Sequence, residues 1–269
     1  MKTVYRNSLV LTFGAPTIGA VEARGLAAGV IMEVGRAGRA STGEVVVYNL
    51  SDTTRAALAE AGAWVSATCL RDSVASELLT QGDIASVRSE ISGRDMITTL
   101  AVDTGRRGLG VRVSLSYPPG ARLRNVVGQL AQGAGLSLAY FDERLERASM
   151  GAGWAYMGSV GDALRDACAS SGAIWRIVGG GLYVEAERAQ ETAVARRFAP
   201  GTGLIGSPVV GDDGVVDVLV ELETGIVPGS YFELSSRLLS GAYRAREVTH
   251  EASTVGGGAW TTTIKGVTA

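Results

Sequence analysis

Few side chains in this 269-residue sequence are equipped for chemistry. His250 is the single histidine, so a Ser-His-Asp relay would have to use it as the base. The nearest nucleophile-like run, Gly158-Ser-Val-Gly161, lacks GxSxG spacing and sits where a helix begins, which makes Ser159 an N-cap. His250 falls in a strand-like run, where a structural imidazole is expected. Cys168 lies on the apolar side of a helical pattern, and apolar burial suppresses the thiolate that nucleophilic catalysis needs. Cys69 and Cys168 stand far apart and outside any CxxC or Cys/His ligand spacing. Two free, buried thiols in a reducing compartment are expected, with one bridge between them left open.

Phosphate and metal chemistry fare no better. A P-loop needs GxxxxGK[ST], and the two lysines, Lys2 and Lys265, follow no such loop. Glycine clusters at 35–38, 105–110 and 179–181 lack the strand, GxGxxG, helix order of a dinucleotide site and are expected as hairpin turns. Asp212-Asp-Gly-Val-Val-Asp217 lacks the alternating ligands and closing glutamate of a calcium loop. Asp142, Glu143 and Glu146 contain the carboxylates a glycosidase would use, but a charged turn predicts them as solvated surface. Arg106 and Arg107 stand without interleaved aromatics, so no single-strand groove is visible. No catalytic residue, cofactor or metal is expected.

Composition agrees. With 25 Lys+Arg against 27 Asp+Glu the net charge is −2, too balanced to mark a nucleic-acid or anionic-membrane binder. The 46% hydrophobic, 19% charged make-up with 37 Gly is that of a globular chain, one large domain or two to three small ones. No apolar run reaches bilayer length, and Thr12, Gly14, Pro16, Thr17 and Gly19 interrupt the only signal-like stretch. An uncleaved opening strand pair is expected there.

Three segments carry these residues. Residues 1–110 are strand-rich, with runs at Glu44–Leu50, Trp64–Leu70 and Met96–Val102 and one helix from Ser51 to Gly62. Residues 111–198 turn helical: Leu123, Val126, Val127, Leu130 and Ala134 make one face, stopped by Gly135. Val160, Ala163, Leu164, Ala167 and Cys168 make a second, capped by Ser159 and ended by Gly172, before a strand, a glycine turn and a strand. Residues 199–269 return to strands, with a proline turn at Ile226–Gly229. In Gly241–His250 strict alternation sets Ala242, Arg244, Arg246 and Val248 opposite Tyr243, Ala245 and Glu247. This last segment is the acidic one, with eight acidic against four basic residues.

The run Gly43-Glu-Val-Val-Val-Tyr-Asn-Leu-Ser-Asp-Thr-Thr-Arg55, with Gln81–Ile84 and Asp95–Asp103, resembles the N-terminal domain of tailed-phage baseplate hub proteins. Gly203-Leu-Ile-Gly-Ser-Pro208, Pro228-Gly229, Gly241–Arg244, Val248–His250 and Trp260–Thr262 resemble their C-terminal barrel. The middle segment is similar to small αβ modules of such hubs and of secretin N-terminal domains. The resemblance implies an α+β, mostly β chain: two tail-tube-like antiparallel β-barrel domains, 1–110 and 199–269, with a small α+β module, 111–198, between them. Tyr48, Asn49, Leu50, Ser51, Gly203, Ser207, Pro208, Pro228, Gly229 and Trp260 are its family-motif structural positions. It further implies a homotrimeric ring in the virion, assembled in the host cytoplasm. That ring adapts the sixfold tail tube to the threefold spike and catalyses nothing. Its partners would be the tail tube protein, the spike protein and other baseplate or distal tail proteins, with DNA passing through the lumen and no membrane involved. The acidity of the last segment is read as a solvated face or, in a tube-forming protein, as a channel lining that repels nucleic-acid phosphates, and no appended lysozyme or peptidase segment is expected. The alternatives are a cell-envelope or glycan-binding module, or a cell-wall hydrolase.

Overall fold

Alternating apolar and polar residues make most of this chain strand, and a few local breaks decide where each strand turns. The computed structural model describes residues 7–36, 38–71, 75–178, 180–187 and 196–269. They fall into two compact units, one drawn from 1–34, 42–103 and 195–269, the other from 35–41 and 104–194.

The first unit opens with β1 (Asn7–Ala15), β2 (Gly19–Arg24), β3 (Ala28–Glu33) and β4 (Thr42–Tyr48), then α1 (Asp52–Leu58), β5 (Trp64–Arg71), β6 (Ala75–Ser92) and β7 (Asp95–Asp103). The strand runs expected over 44–50, 64–70 and 96–102 are β4, β5 and β7. On β3, Ala28, Val30 and Met32 are buried; on β4, Val45 and Val47 are. The chain leaves β4 through Asn49, the one non-glycine described with a positive φ, +56°. Its carboxamide donates to Asp95 Oδ1 at 2.9 Å and accepts from the Met96 N–H at 2.9 Å, which holds the left-handed corner in place. Leu50 then enters the core, and the Ser51 hydroxyl accepts from the Thr54 N–H at 3.1 Å to cap α1.

The second unit holds α2 (Arg106–Leu109), β8 (Arg112–Tyr117), β9 (Ala121–Arg122), α3 (Leu123–Gly133), β10 (Ser137–Phe141), β11 (Ser149–Met150), β12 (Trp154–Ser159), α4 (Val160–Ala169), β13 (Ala173–Val178) and β14 (Gly181–Ala186). Helix α3 buries Leu123, Val126, Val127, Leu130 and Ala131, and α4 buries Val160, Ala163, Leu164, Ala167 and Cys168. Both pack in one core with Trp175, Ile177, Leu182 and Val184 of the sheet β10-β14-β13. Two glycine clusters are not hairpin turns. Residues 38–41, within the β3–β4 connection, lie along β13, with a parallel bridge Ala40↔Ile177 and the Gly38 N–H on the Trp175 carbonyl at 2.6 Å. The buried Ser41 hydroxyl fixes them by donating to the Ile177 carbonyl at 2.9 Å. Residues 105–110 hold the helical turn α2. The third cluster does close the β13–β14 hairpin, with Gly179 outside the described residues.

The first unit resumes with β15 (Arg196–Phe198), β16 (Leu204–Val210), β17 (Val216–Glu221), β18 (Tyr231–Ser235), β19 (Ser240–Ser253) and β20 (Trp260–Thr268). The strands form one ladder, β16-β17-β20-β19-β3-β4-β7-β6-β5-β1-β2, with β18 on β19 and β15 on β18. The first and last segments of the sequence are thus bonded to each other at β19–β3, where Glu251 opposes Ile31 and His250 opposes Met32. The alternation expected through Gly241–His250 breaks at a bulge between Ala245 and Glu247, so Val248 and His250 join Tyr243 and Ala245 on the buried side.

The ladder repeats itself. In space β3-β4-β7-β6-β5 corresponds to β16-β17-β20-β19-β18, and along the chain the two sets also run in the same order. The Asn49 N–H bonds the Met96 carbonyl at 2.7 Å as the Leu222 N–H bonds the Trp260 carbonyl at 2.9 Å. Aligned on that pair, Tyr48 matches Glu221, Ile97 matches Thr261 and, through the registers, Glu90 matches Glu251. The bulge in β6, between Ile84 and Ser86, then falls at the position of the bulge in β19.

Two stability predictions follow from these interactions. Asn49→Ala loses two side-chain hydrogen bonds and keeps an unfavourable backbone, so urea unfolding should show a loss of about 2 kcal/mol, against about 1 kcal/mol for Asn49→Gly. Equal losses would show that backbone strain is not part of the corner. His250 is buried, with Nδ1 2.9 Å from the Thr262 hydroxyl, and desolvation lowers its pKa to about 4 from 6.5. Between pH 6.5 and about 4 the unfolded chain takes up a proton that the fold refuses, so stability is lost as pH falls through that window. The loss attributable to His250 is roughly 3 kcal/mol. Unfolding free energies measured from pH 7 to 4 should therefore fall more steeply for the parent than for His250→Gln, and parallel curves would contradict this.

Candidate functional site

The ten motif residues hold turns and strand ends, and they do not converge on one point. Tyr48, Asn49, Leu50 and Ser51 form the β4–α1 corner. Gly203 (φ +87°) lets the chain enter β16, and its carbonyl accepts from the Glu221 N–H at 2.7 Å. Ser207 is exposed and Pro208 buried within β16, where the register with β17 shifts. Pro228 and Gly229 are the central residues of a turn in which the Ser230 N–H bonds the Val227 carbonyl at 2.9 Å. The φ of +96° at Gly229 makes it type II. Trp260 begins β20, half-buried against the core.

The chemistry-bearing residues are likewise committed to structure. The imidazole of His250 is sealed inside the ladder. Cys69 and Cys168 are buried and not bridged to each other, and desolvation pushes the Cys168 thiol up to about 12, far from a working nucleophile. Ser159 caps α4 by accepting from the Asp162 N–H at 3.2 Å, and it donates to the Asp162 carboxylate at 2.7 Å; that bond first, and Arg165 second, lower the Asp162 pKa. Asp142 corrects the sequence expectation: it is buried, not solvated. Its carboxylate accepts from the Arg144 N–H at 2.9 Å and the Ala186 N–H at 3.2 Å, tying a one-turn helix, Glu143–Leu145, to β14. Glu143 and Glu146 are exposed as expected. Asp212–Asp217 spans the β16–β17 turn, where Asp213 Oδ1 accepts from the Val215 N–H at 3.1 Å. Among the described residues, no group of three or more His, Cys, Asp or Glu is placed to hold a metal ion.

What the ladder does assemble is a polar face. Opposite the buried side of β17, β20, β19, β3 and β4, the register lines up Glu221, Thr261, Glu251, Ile31 and Glu44 in one row. Leu219, Thr263, Thr249, Glu33 and Thr42 make the next. Asp217, Lys265 and Glu247 begin a third, where Lys265 Nζ lies 3.0 Å from the Glu247 carboxylate. Six carboxylates against one ammonium make this surface strongly acidic, and threonines fill much of the space between. A shallow hollow of about 180 Å³ opens beside Gly29, with Glu44, Tyr48 and Glu251 at its walls. The sequence carried the charges and their alternation, but the row emerges only from the cross-strand register.

No family model and no curated protein matches this chain. Solved structures do. The 43 kDa tail protein of prophage MuSo2 from Shewanella oneidensis aligns with a TM-score of 0.65 at 8% identity, covering 98% of each chain. A tail protein from Neisseria meningitidis MC58 gives 0.59 at 12% identity over 96% of each. The E. coli c3393 protein gives 0.58 at 8% identity, over 99% of this chain and 77% of that one. It is described as a type VI secretion component structurally similar to the T4 tail proteins gp27 and gp5. At these identities the likeness is one of fold: over nearly its whole length, this mostly β, α+β chain has the fold of phage tail and baseplate proteins.

Proposed function

We propose that this protein is a structural component of a phage or phage-derived tail: a homotrimeric hub in the virion that joins a sixfold tail tube to a threefold spike. The observation that carries this assignment is the repeat within the ladder. One chain holds two modules of matching strand order, register and bulge, twin tube-like barrels in this proposal, so three chains offer six near-equivalent modules to a hexameric neighbour and only three copies of everything else. The fold shared with tail proteins supports the same assignment, as does the kinship of one neighbour with gp27 and gp5. The motif residues at the β4–α1 corner, at Gly203 and at Pro228-Gly229 then set turns that shape each module. The acidic, threonine-rich face lines the lumen, where like charge keeps DNA phosphates from adhering. No reaction is required, and His250, Cys168 and Ser159 are used for packing and capping. The partners are the tube protein above, the spike below and further distal tail proteins around it.

Native mass spectrometry combined with sedimentation on purified tube protein tests the proposal. Three copies of the 27.8 kDa chain should travel as one particle and cosediment with tube rings at one particle per end. A chain that stays monomeric at all concentrations, alone and with tube protein, would contradict it.

A further inference from the structure

The repeat leaves one position unfilled. In the second module the far half of β19 is covered by β3, while in the first module the corresponding half of β6, Ser86–Ser92, pairs with β7 alone among the described residues. At the other end of the module row, β16 corresponds to β3 and pairs with β17 alone from Ile205 onward. We infer that these two edges are made for each other: resting on the hub assignment above, Ser86–Ser92 of one copy adds to β16 of the next and repeats, between chains, the β19–β3 joint inside the chain.

Three features support a second copy of this chain as the occupant. The internal joint supplies the geometry, an antiparallel ladder with a known register. A contact between two unlike edges of the same chain is heterologous, and with a rotation of 120° between copies such a contact closes a ring of three. Apolar side chains also stand exposed at these edges: Ile91 is 75% exposed, Val209 62% and Val210 54%, which is the pattern of strands covered on assembly. Pro208 and the register shift beside it blunt β16 against casual pairing.

The register is specific. Tyr48 matches Glu221, so Glu44 matches Asp217 and their partners Ile31 and Val209 correspond. Since Glu251 opposes Ile31 within the chain, Glu90 of one copy opposes Val209 of the next. The Val248 carbonyl faces β3, accepting from the Val34 N–H at 2.9 Å, so Val87, Ser89 and Ile91 turn their backbone groups to the open edge. The Ser89 backbone N–H therefore plays no part in the β7 ladder, and proline there removes from β7 only the contact between the Ser89 and Thr98 hydroxyls, 3.3 Å apart.

The experiment uses two variants of the full chain. Glu90→Cys/Val209→Cys, oxidised with glutathione disulfide, should give reducible trimers on denaturing gels, and neither single variant should, because Cys69 and Cys168 are buried. Ser89→Pro should leave the circular dichroism spectrum unchanged and raise the trimer dissociation constant at least tenfold. A trimeric parent that neither crosslinks at this pair nor responds to Ser89→Pro overturns the edge pairing and leaves the hub assignment standing. A parent that never associates overturns both.

Discussion

The backbone ladder between β19 and β3 is the interaction on which the rest of the structure depends. A strand edge left open in a chain this rich in β structure exposes rows of unpaired N–H and C=O groups. Here the final third of the chain closes the edge left by β3, from Val34 on Val248 to Thr254 on Ala28. Each bond contributes only about 1 kcal/mol net, but together they fix the register, and the register decides which side chains meet. His250 illustrates the result. It is sealed between β3 and β20 because the ladder forms, and its hydroxyl partner, Thr262, lies on the neighbouring strand.

The same economy governs the other polar groups. Ser159 and Ser51 begin helices, Asp142 ties a turn to β14, and Ser41 fastens residues 38–41 to β13. Each of these polar side chains is bonded to a neighbour in the fold. Six carboxylates and one lysine lie among threonines on the face of the ladder opposite its buried side.

Much of this was legible locally. The apolar stripes of α3 and α4, the Ser159 cap, the Pro228-Gly229 turn and the β13–β14 hairpin all depend on residues within a turn or two of one another, and periodicity reveals them. What the sequence hid was non-local. Nothing in Thr249–Ser253 announces β3 as its partner, more than two hundred residues away. The extra residue Arg246 shifts the side-chain parity in β19 without a glycine to mark it. Asp142 looks like any charged turn residue until β14 arrives to cover it. The carboxylate rows were present as scattered outward positions, and only the register joined them. Pro228 and Gly229 were legible as a turn, and the repeat within the ladder became visible only when strand orders were compared.

The central claim is that two modules of one chain act as equivalents around a common axis. Electron cryomicroscopy of the isolated ring, reconstructed with threefold symmetry alone, tests it most directly. Rotating the map by 60° should superimpose the module holding β3, β4, β7 and β6 on the module holding β16, β17, β20 and β19, with the acidic face toward the axis. A ring in which that rotation brings unrelated density together, or in which the acidic face points outward, would contradict the account.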